Sequence, residues 1–409
     1  MKIPLIIIII LVCIAIVLFA MIYPSYHREM QTARDRLLAD RKVLKTDHGD
    51  IEYSVKGEGM PVLLLYGAGT VRERETYMKA MVIIQRDQRG TLEWRDVPEP
   101  EMGSDELLMR VEAVAVNRGD VYQVAGTFSP SHYQTKVAAH GQAKIPGQEA
   151  AGVVTGMGRN VSGFTVGDRI MGFCTGAYAE LTTLDYRLAM PVPESLSWEE
   201  AASIPVAYMT EYNALITSAR LESGETVLVH GAAAGVGVAA IQIAKLFGAR
   251  LVMGTDSHEK FEMLRRLGMD IGIDYHTESF ADVVLKATDH RGVDVIIDHV
   301  GGPYLRDNLR CMAVKGRLVS VGRIDGGNGE LDLDVMALKR LQLIGVTFRT
   351  RTIEEKIAIA KAVMKDLLPA LRDGRLRPVV DRVFKLEKAA EAQRYMLSNA
   401  QIGRIVLRA

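Results

Sequence analysis

The amino-acid sequence predicts an α/β protein: a β-rich domain joined to a doubly wound parallel sheet, with an N-terminal transmembrane helix ahead of both. Three observations lead there. The stretch Thr226-Val-Leu-Val-His-Gly-Ala-Ala-Ala-Gly-Val-Gly237 reads as a buried strand turning through small residues into a helix, and Arg250-Leu-Val-Met253 follows as the next strand of a β-α-β unit. From Met78 to about Ser203, alternating apolar stretches such as Leu107 to Val116 and Ala151 to Val154 are separated by glycine and proline, the pattern of a β-rich domain. Leu5 to Ile22 is an unbroken apolar run of 18 residues, long enough to span a bilayer.

Taken from the N-terminus, that run lacks a small-x-small cleavage site, which favours an uncleaved anchor over a signal peptide. Only Lys2 precedes it, whereas Arg28, Arg34, Arg36, Arg41 and Lys42 follow, so the positive-inside tendency predicts a single-pass membrane protein with its large C-terminal part in the cytoplasm. Residues 1–27 are the expected anchor and 28–77 a linker, in which Arg28 to about Lys45 has the pattern of a charged, solvated helix. Ile51-Glu-Tyr-Ser-Val55 and Val62-Leu-Leu-Leu65 then flank Lys-Gly-Glu-Gly, a strand-pair pattern. With Tyr66-Gly-Ala-Gly69 this piece, about residues 46–69, resembles the opening strands of the α/β-hydrolase family. No Gly-x-Ser-x-Gly occurs in the chain, so the elbow that exposes a serine nucleophile is missing and the piece reads as a remnant without acyl chemistry.

In the β-α-β region Val236, Ala240, Ile243 and Phe247 recur at helical spacing, and Gly248 closes the helix. Val293-Asp-Val-Ile-Ile297 and Leu318-Val-Ser-Val321 extend the parallel sheet. One long helix is expected from Ile353 to Arg372, and Gly403-Arg-Ile-Val-Leu407 is a last strand suited to return to the first domain. The small residues of the 231–237 turn let backbone approach a phosphate, and the free N–H groups and positive dipole end of the next helix neutralise it, which points to a dinucleotide. Lysine plus arginine total 50, as do aspartate plus glutamate, with no basic block, so binding nucleic acid by charge has little support. Cys13, Cys174 and Cys311 are too scattered for a metal-ligand cluster and too few for a disulfide framework.

Residues 78–409 are similar, end to end, to the zinc-independent medium-chain dehydrogenase/reductase superfamily in its quinone oxidoreductase (zeta-crystallin-like) branch. The likeness rests on Val116-Asn-Arg-Gly-Asp120, Pro146-Gly-Gln-Glu-Ala-Ala-Gly152, Gly167-Asp-Arg169, Ala201-Ala-Ser-Ile-Pro205, the glycine turn, Gly301-Gly-Pro-Tyr304, Arg375-Leu-Arg-Pro-Val-Val-Asp381 and Ile402-Gly-Arg-Ile-Val-Leu407. The resemblance implies a GroES-like catalytic domain over 78–203 and 343–409, split by a Rossmann NADP-binding domain over 204–342. Nicotinamide would lie in the cleft between them. Zinc relatives carry histidine where this chain has Gln148, and cysteine is missing at the other ligand positions, so no zinc is expected. The implied function is an NADPH-dependent quinone oxidoreductase acting as a homodimer. A 2-alkenal, enone or enoyl reductase acting on a conjugated carbonyl is the alternative within the same chemistry, and an RNA-binding or structural zeta-crystallin-like role the alternative outside it. If the working protein starts at Met78, it is cytoplasmic.

For individual residues, the resemblance implies that Asn117 and Tyr122 line the nicotinamide end and position the substrate, with no acid or base assigned. From the residues alone, Asn117 also fits a turn cap and Tyr122 half-buried packing. Thr210 matches the threonine that approaches the nicotinamide. Ala232, Ala233, Ala234, Gly235, Val236 and Gly237 form the phosphate turn, and Gly322 closes the cofactor side. Ser257, Lys260 and Tyr275 match the residues that hold the 2′-phosphate of NADPH, whereas Asp256 beside them favours the 2′-hydroxyl of NADH or caps the next helix. Val124 and Phe128 replace an arginine and a tyrosine common in quinone reductases, and Ser129 to Lys144 lengthens the neighbouring loop. Cys174 reads as an ordinary packed thiol.

Overall fold

The structure is a computed structural model that describes residues 41–46, 49–54, 64–65, 76–86, 89–126, 138–140 and 143–409. The chain divides into two compact units, Met1–Glu75 and Thr76–Ala409. In the first, β1 (Arg41–Thr46), β2 (Gly49–Ser54) and β3 (Leu64–Leu65) form an antiparallel sheet in that order. The charged-helix expectation therefore fails at its C-terminal end: Val43 and Leu44 pair with Glu52 and Ile51, and the strand ladder overrides the local charge pattern. Residues 28–40 lie outside the described residues.

The expected transmembrane helix, and the single-pass membrane location built on it, must also be corrected. Among the described residues no helix is long and apolar enough to cross a membrane, and the Leu5 to Ile22 run lies outside them. An apolar run predicts a span only if it forms a continuous helix about twenty residues long.

The second unit opens with the hairpin β4 (Tyr77–Arg86) and β5 (Arg89–Pro98), then β6 (Glu106–Ala115) and helix α1 (Arg118–Ala125). A small hairpin, β7 (Ala138–His140) and β8 (Ala143–Ile145), precedes β9 (Glu149–Met157), β10 (Arg169–Phe173), β11 (Leu181–Asp185) and β12 (Ala189–Pro191). Helices α2 (Trp198–Ala202) and α3 (Pro205–Tyr212) lead into the parallel region. There β13 (Thr226–His230), α4 (Gly235–Leu246), β14 (Leu251–Asp256), α5 (Phe261–Arg266), β15 (Ile271–Asp274), α6 (Phe280–Ala287), β16 (Val293–Asp298), α7 (Leu305–Cys311), β17 (Met312–Ser320), α8 (Leu333–Lys339) and β18 (Gln342–Gly345) alternate. The chain ends with α9 (Ile353–Asp366), α10 (Leu368–Arg372), β19 (Val380–Lys385), α11 (Ala389–Leu397) and β20 (Arg404–Arg408).

All pairings in the second sheet are parallel, and its order is β15-β14-β13-β16-β17-β18. The order reverses between β13 and β16, the switch point at which doubly wound sheets bind ligands. Both faces of β13 are covered, so all five of its residues are buried, and the consecutive apolar residues Val227, Leu228 and Val229 replace an alternation. Gly237 is dictated by packing, because a Cβ there would run into the carbonyl of Gly231. Gly248, at φ +84°, takes the left-handed turn that ends α4.

The other main sheet runs β12-β10-β9-β6-β20-β19, with β11 also paired to β6. Its last two strands come from the far end of the chain, and β20 joins the sheet by pairing antiparallel with β6. The single long helix expected from Ile353 to Arg372 is two helices, α9 and α10. Pro369 lacks the N–H a continuous helix needs and sits instead in the first turn of α10.

The buried apolar clusters among the described residues are drawn from Met78 onward. Expressed by itself, the 76–409 fragment is therefore expected to give a native circular-dichroism spectrum and a cooperative thermal transition. A fragment that aggregates, or melts without a transition, contradicts this.

Candidate functional site

A cleft of about 760 Å³ opens at the switch point, beyond the C-terminal ends of β13, β16 and β17. It brings together Asn117, Tyr122, Ala234, Gly235, Val236 and Gly322. A second cavity of about 160 Å³ is lined by Gln148, Thr210, Asn213, Phe173 and Phe348, and shares Val321, Arg323 and Arg349 with the cleft. Thr210 is therefore on the wall of the smaller space. Ala232, Ala233 and Gly237 are buried in the turn itself, while Ser257, Lys260 and Tyr275 line neither cavity.

The turn fits a diphosphate. Ala234 caps α4 with extended backbone and no side-chain hydrogen bond, so the first-turn N–H groups of this 12-residue helix keep their capacity for an anion. Strand β20 clamps the same turn: the Gly403 N–H donates to the Ala233 carbonyl at 2.7 Å. Arg404 lies so close that a Cβ on Gly235 would overlap its side chain, and its Nε is buried without a partner. A bound diphosphate would meet both the helix end and this guanidinium.

Arg404 is held by Glu149 on β9, in an ion pair whose carboxylate is wholly buried. Glu149 also accepts from Asn117 Nδ2 at 2.8 Å and from the Val206 N–H of α3 at 2.7 Å. The Arg404 fork donates to Asn117 Oδ1 at 3.2 Å from both terminal nitrogens. The Asn117 side chain is thus turned into this network. Burial raises the pKa of Glu149, and the Arg404 charge opposes that rise.

Beside it Asp120 is fully buried and accepts from the Asn117 N–H at 2.9 Å, Gln148 Nε2 at 3.1 Å and the Tyr178 hydroxyl at 3.3 Å. Burial pushes its pKa from 3.8 up to about 6, against these hydrogen bonds. Gln148, the residue standing where zinc relatives carry a ligand, is thus bonded to a carboxylate, and among the described residues no group of three or more His, Cys, Asp or Glu is placed to hold a metal. Cys174 is buried, and burial raises its pKa so that the thiol stays protonated.

At the end of β14, Asp256 accepts from the Ala233 N–H at 2.8 Å and the Ser257 N–H at 3.0 Å, and lies 3.2 Å from Lys260 Nζ. Asp256 therefore braces the phosphate turn and does not cap the next helix. Lys260 is 8% exposed and donates to the Asn399 carbonyl at 2.8 Å. Ser257 and Tyr275 follow the paired strand ends Asp256 and Asp274, Tyr275 being exposed. Val124 is buried on α1, whereas Phe128 lies outside the described residues, as does most of the 129–144 loop.

Sequence reasoning assigned no role to Glu149, Arg404, Asp120, His299, Arg323 or Arg349. The signal for the first pair was present: a charge as the first residue of each of two mainly apolar strands. Nothing in the sequence linked them, since 255 positions separate the two.

Because the Asp120 pKa is raised on folding, the protonated carboxyl favours the native state; that contribution is complete below about pH 4 and is lost as pH rises through about 6. Urea melts of the protein and of Asp120→Asn are expected to show a stability difference that falls by up to about 3 kcal/mol between pH 4 and pH 7. A difference independent of pH contradicts it.

Residues 103–194 match the family described as alcohol dehydrogenase GroES-like domain, and residues 235–363 the one described as zinc-binding dehydrogenase. The quinone oxidoreductase of Rattus norvegicus is 32% identical over 320 residues, covering 76% of this chain and 92% of that protein. A phenolphthiocerol/phthiocerol polyketide synthase of Mycobacterium tuberculosis is 33% identical over 332 residues, 80% of this chain, but the chain spans only 15% of that protein's length. Among solved structures, mycobacterial Rv1454c complexed with NADPH superposes with a TM-score of 0.70 at 28% identity, over 81% of this chain and all of that one.

Proposed function

The chain belongs to the medium-chain dehydrogenase/reductase superfamily, in its quinone oxidoreductase branch, and on that premise we propose that it reduces a quinone with NADPH and without zinc. Membership makes it an oxidoreductase. The observation that carries the reading is the cleft at the switch point, where an uncapped helix end and Arg404 face the same space as Asn117 and Tyr122. When bound, NADPH supplies a hydride from C4 of its nicotinamide ring; with one proton from water, the quinone becomes a hydroquinone and the cofactor is oxidised.

The chain's own contribution is then orientation. The α4 N–H groups and Arg404 hold the diphosphate. Glu149 fixes both Arg404 and Asn117, so the nicotinamide end has a rigid wall, and Tyr122 adds a half-buried phenol to it. Gln148 donates to Asp120, and its amide stands in place of the imidazole or thiolate donor that a tetrahedral zinc site takes. Support for NADPH comes from the NADPH-bound relative and from Lys260, Ser257 and Tyr275 at adjoining strand ends.

The second reading is reduction of a conjugated carbonyl. The likeness to the solved structure titled CurK enoyl reductase, 26% identical with a TM-score of 0.70, favours it.

NADPH oxidation should proceed with quinones, enals or enoyl thioesters and survive exhaustive chelation; bound zinc whose removal abolishes turnover contradicts the proposal. Lys260→Ala should weaken NADPH about tenfold more than NADH, the size of one charge-assisted contact, about 1.5 kcal/mol. Paired fluorescence titrations check this, and an equal loss for both cofactors removes Lys260 from the 2′-phosphate.

A further inference from the structure

Two walls of the small cavity belong to different elements. Helix α3 supplies Val206 and Thr210, and the segment that follows β17 supplies Val321 and Arg323. Both walls are tied to one histidine behind them. The ring of His299, just after β16, is 2% exposed, and its Nε2 lies 3.0 Å from Oε1 of Glu211, the neighbour of Thr210 on α3. The backbone of the same turn carries the other wall. The Asp298 carbonyl accepts from the Val321 and Gly322 N–H groups at 2.9 and 3.0 Å, and the His299 carbonyl from the Ile324 N–H at 3.3 Å. A Cβ on Gly322 would lie 2.5 Å from the His299 carbonyl oxygen, so this segment is seated directly on His299. The ring's Nδ1, 2.7 Å from the His230 carbonyl, adds the end of β13, where the phosphate turn begins.

A carbonyl and a carboxylate only accept hydrogen bonds, so the ring makes both bonds together only when both of its nitrogens carry protons. Glu211 is wholly buried and its Oε2 has no hydrogen-bond partner; loss of the ring proton therefore leaves a buried carboxylate without the charge that offsets it. Burial lowers the His299 pKa, but the Glu211 charge, the hydrogen bonds to Glu211 and the His230 carbonyl, and the charge of Asp298 on β16 hold it above the ordinary 6.5. The His230 ring on β13 is kept neutral by burial. The phosphate turn, Gly231 to Gly237, carries no titratable side chain. Arg118, Arg323, Arg349 and Arg404, which line the cleft with His299, stay charged throughout this range.

We infer that His299 is a positioning residue for hydride transfer: through Glu211 it sets the spacing of the α3 wall from the 321–324 wall, and it holds that spacing only while the ring carries both protons. This rests on the hydride-transfer reading above and adds a pH dependence to it. The ring takes no part in the chemistry; it places Thr210, Val321 and Gly322, between which the nicotinamide end and the acceptor are brought together. The doubly protonated ring is present below the His299 pKa and lost above it, so the competent form decays on the alkaline side.

The test is the pH dependence of kcat/KM for NADPH from about pH 6 to about pH 9, with 9,10-phenanthrenequinone and with 2-hexenal as acceptors, in the parent chain, Glu211→Gln and His299→Gln. The parent should lose about tenfold or more through one ionisation above pH 6.5. Removing the Glu211 charge should move that step about one unit or more toward lower pH. His299→Gln should be slow at every pH and show no such step. Asp120, which titrates at about 6, lies in a separate network, so a step that it causes survives in both variants. A parent profile flat above pH 6.5 overturns the inference, and so does a step unmoved in both variants. If the variants fail to fold, NMR of the histidine-labelled parent chain decides: a ring that titrates with the activity supports the inference, and an activity step matched by no histidine overturns it. If neither acceptor oxidises NADPH, the hydride-transfer reading fails by itself. NADPH affinity, followed by fluorescence over the same range in the parent and in Glu211→Gln, then decides the positioning role. Affinity lost through a step that moves in the variant supports it; affinity independent of pH, or no binding, overturns it.

Discussion

One buried carboxylate, Glu149, holds the site together. It lies on β9, pairs with Arg404 on β20, accepts from Asn117 before α1 and accepts from the first turn of α3. Four segments distant in sequence therefore meet at one group. Taking two charges out of water is costly, and it is offset here only because both carboxylate oxygens are bonded and the guanidinium has two acceptors. Removing one partner would leave the other charge buried and uncompensated, a loss of roughly 3–5 kcal/mol in such pairs. The network is thus both a lock on the C-terminal strand and the reason the amide of Asn117 has a fixed direction.

The phosphate turn depends on that lock. Its small residues leave room for a diphosphate, but they also leave room for Arg404, which packs over Gly235. Strand β20 reaches the turn through Gly403, and Asp256 braces it from the opposite side through Ala233. The turn is consequently held by the last strand of one sheet and the second strand of the other. This explains why Asp256 contacts backbone, and why Lys260, drawn to Asp256 and to Asn399, is buried rather than extended into solvent.

A second buried network supports the floor of the cleft. His299, just after β16, has its Nδ1 2.7 Å from the His230 carbonyl and its Nε2 3.0 Å from Glu211. Both ring nitrogens face acceptors, an arrangement that favours the doubly protonated imidazolium. Burial by itself would lower the His299 pKa; the Glu211 charge, together with the hydrogen bonds to Glu211 and to the His230 carbonyl and the Asp298 charge, raises it on balance. His230, by contrast, is shifted down by burial and bonds to Thr255 and Asn308. These contacts tie the ends of β13, β14 and β16 together directly beneath the cofactor space.

The sequence by itself determined the secondary pattern wherever burial has a period. It marked β13 because a strand covered on both faces carries consecutive apolar residues, here Val227 to Val229, α4 because one helix face packs on the sheet, and the turn between them because only small residues allow that approach. It also excluded a serine elbow. Local pattern misled where a longer-range force or a single residue decided: Pro369 split the last long helix, and sheet pairing made a strand of Arg41–Thr46. Only the tertiary structure decided which charges meet. Glu149 and Arg404, Asp120 and Gln148, and Arg323 and Arg349 come together through strand register and crossover connections, and electrostatic energy depends on distance in space, which composition and spacing along the chain do not encode.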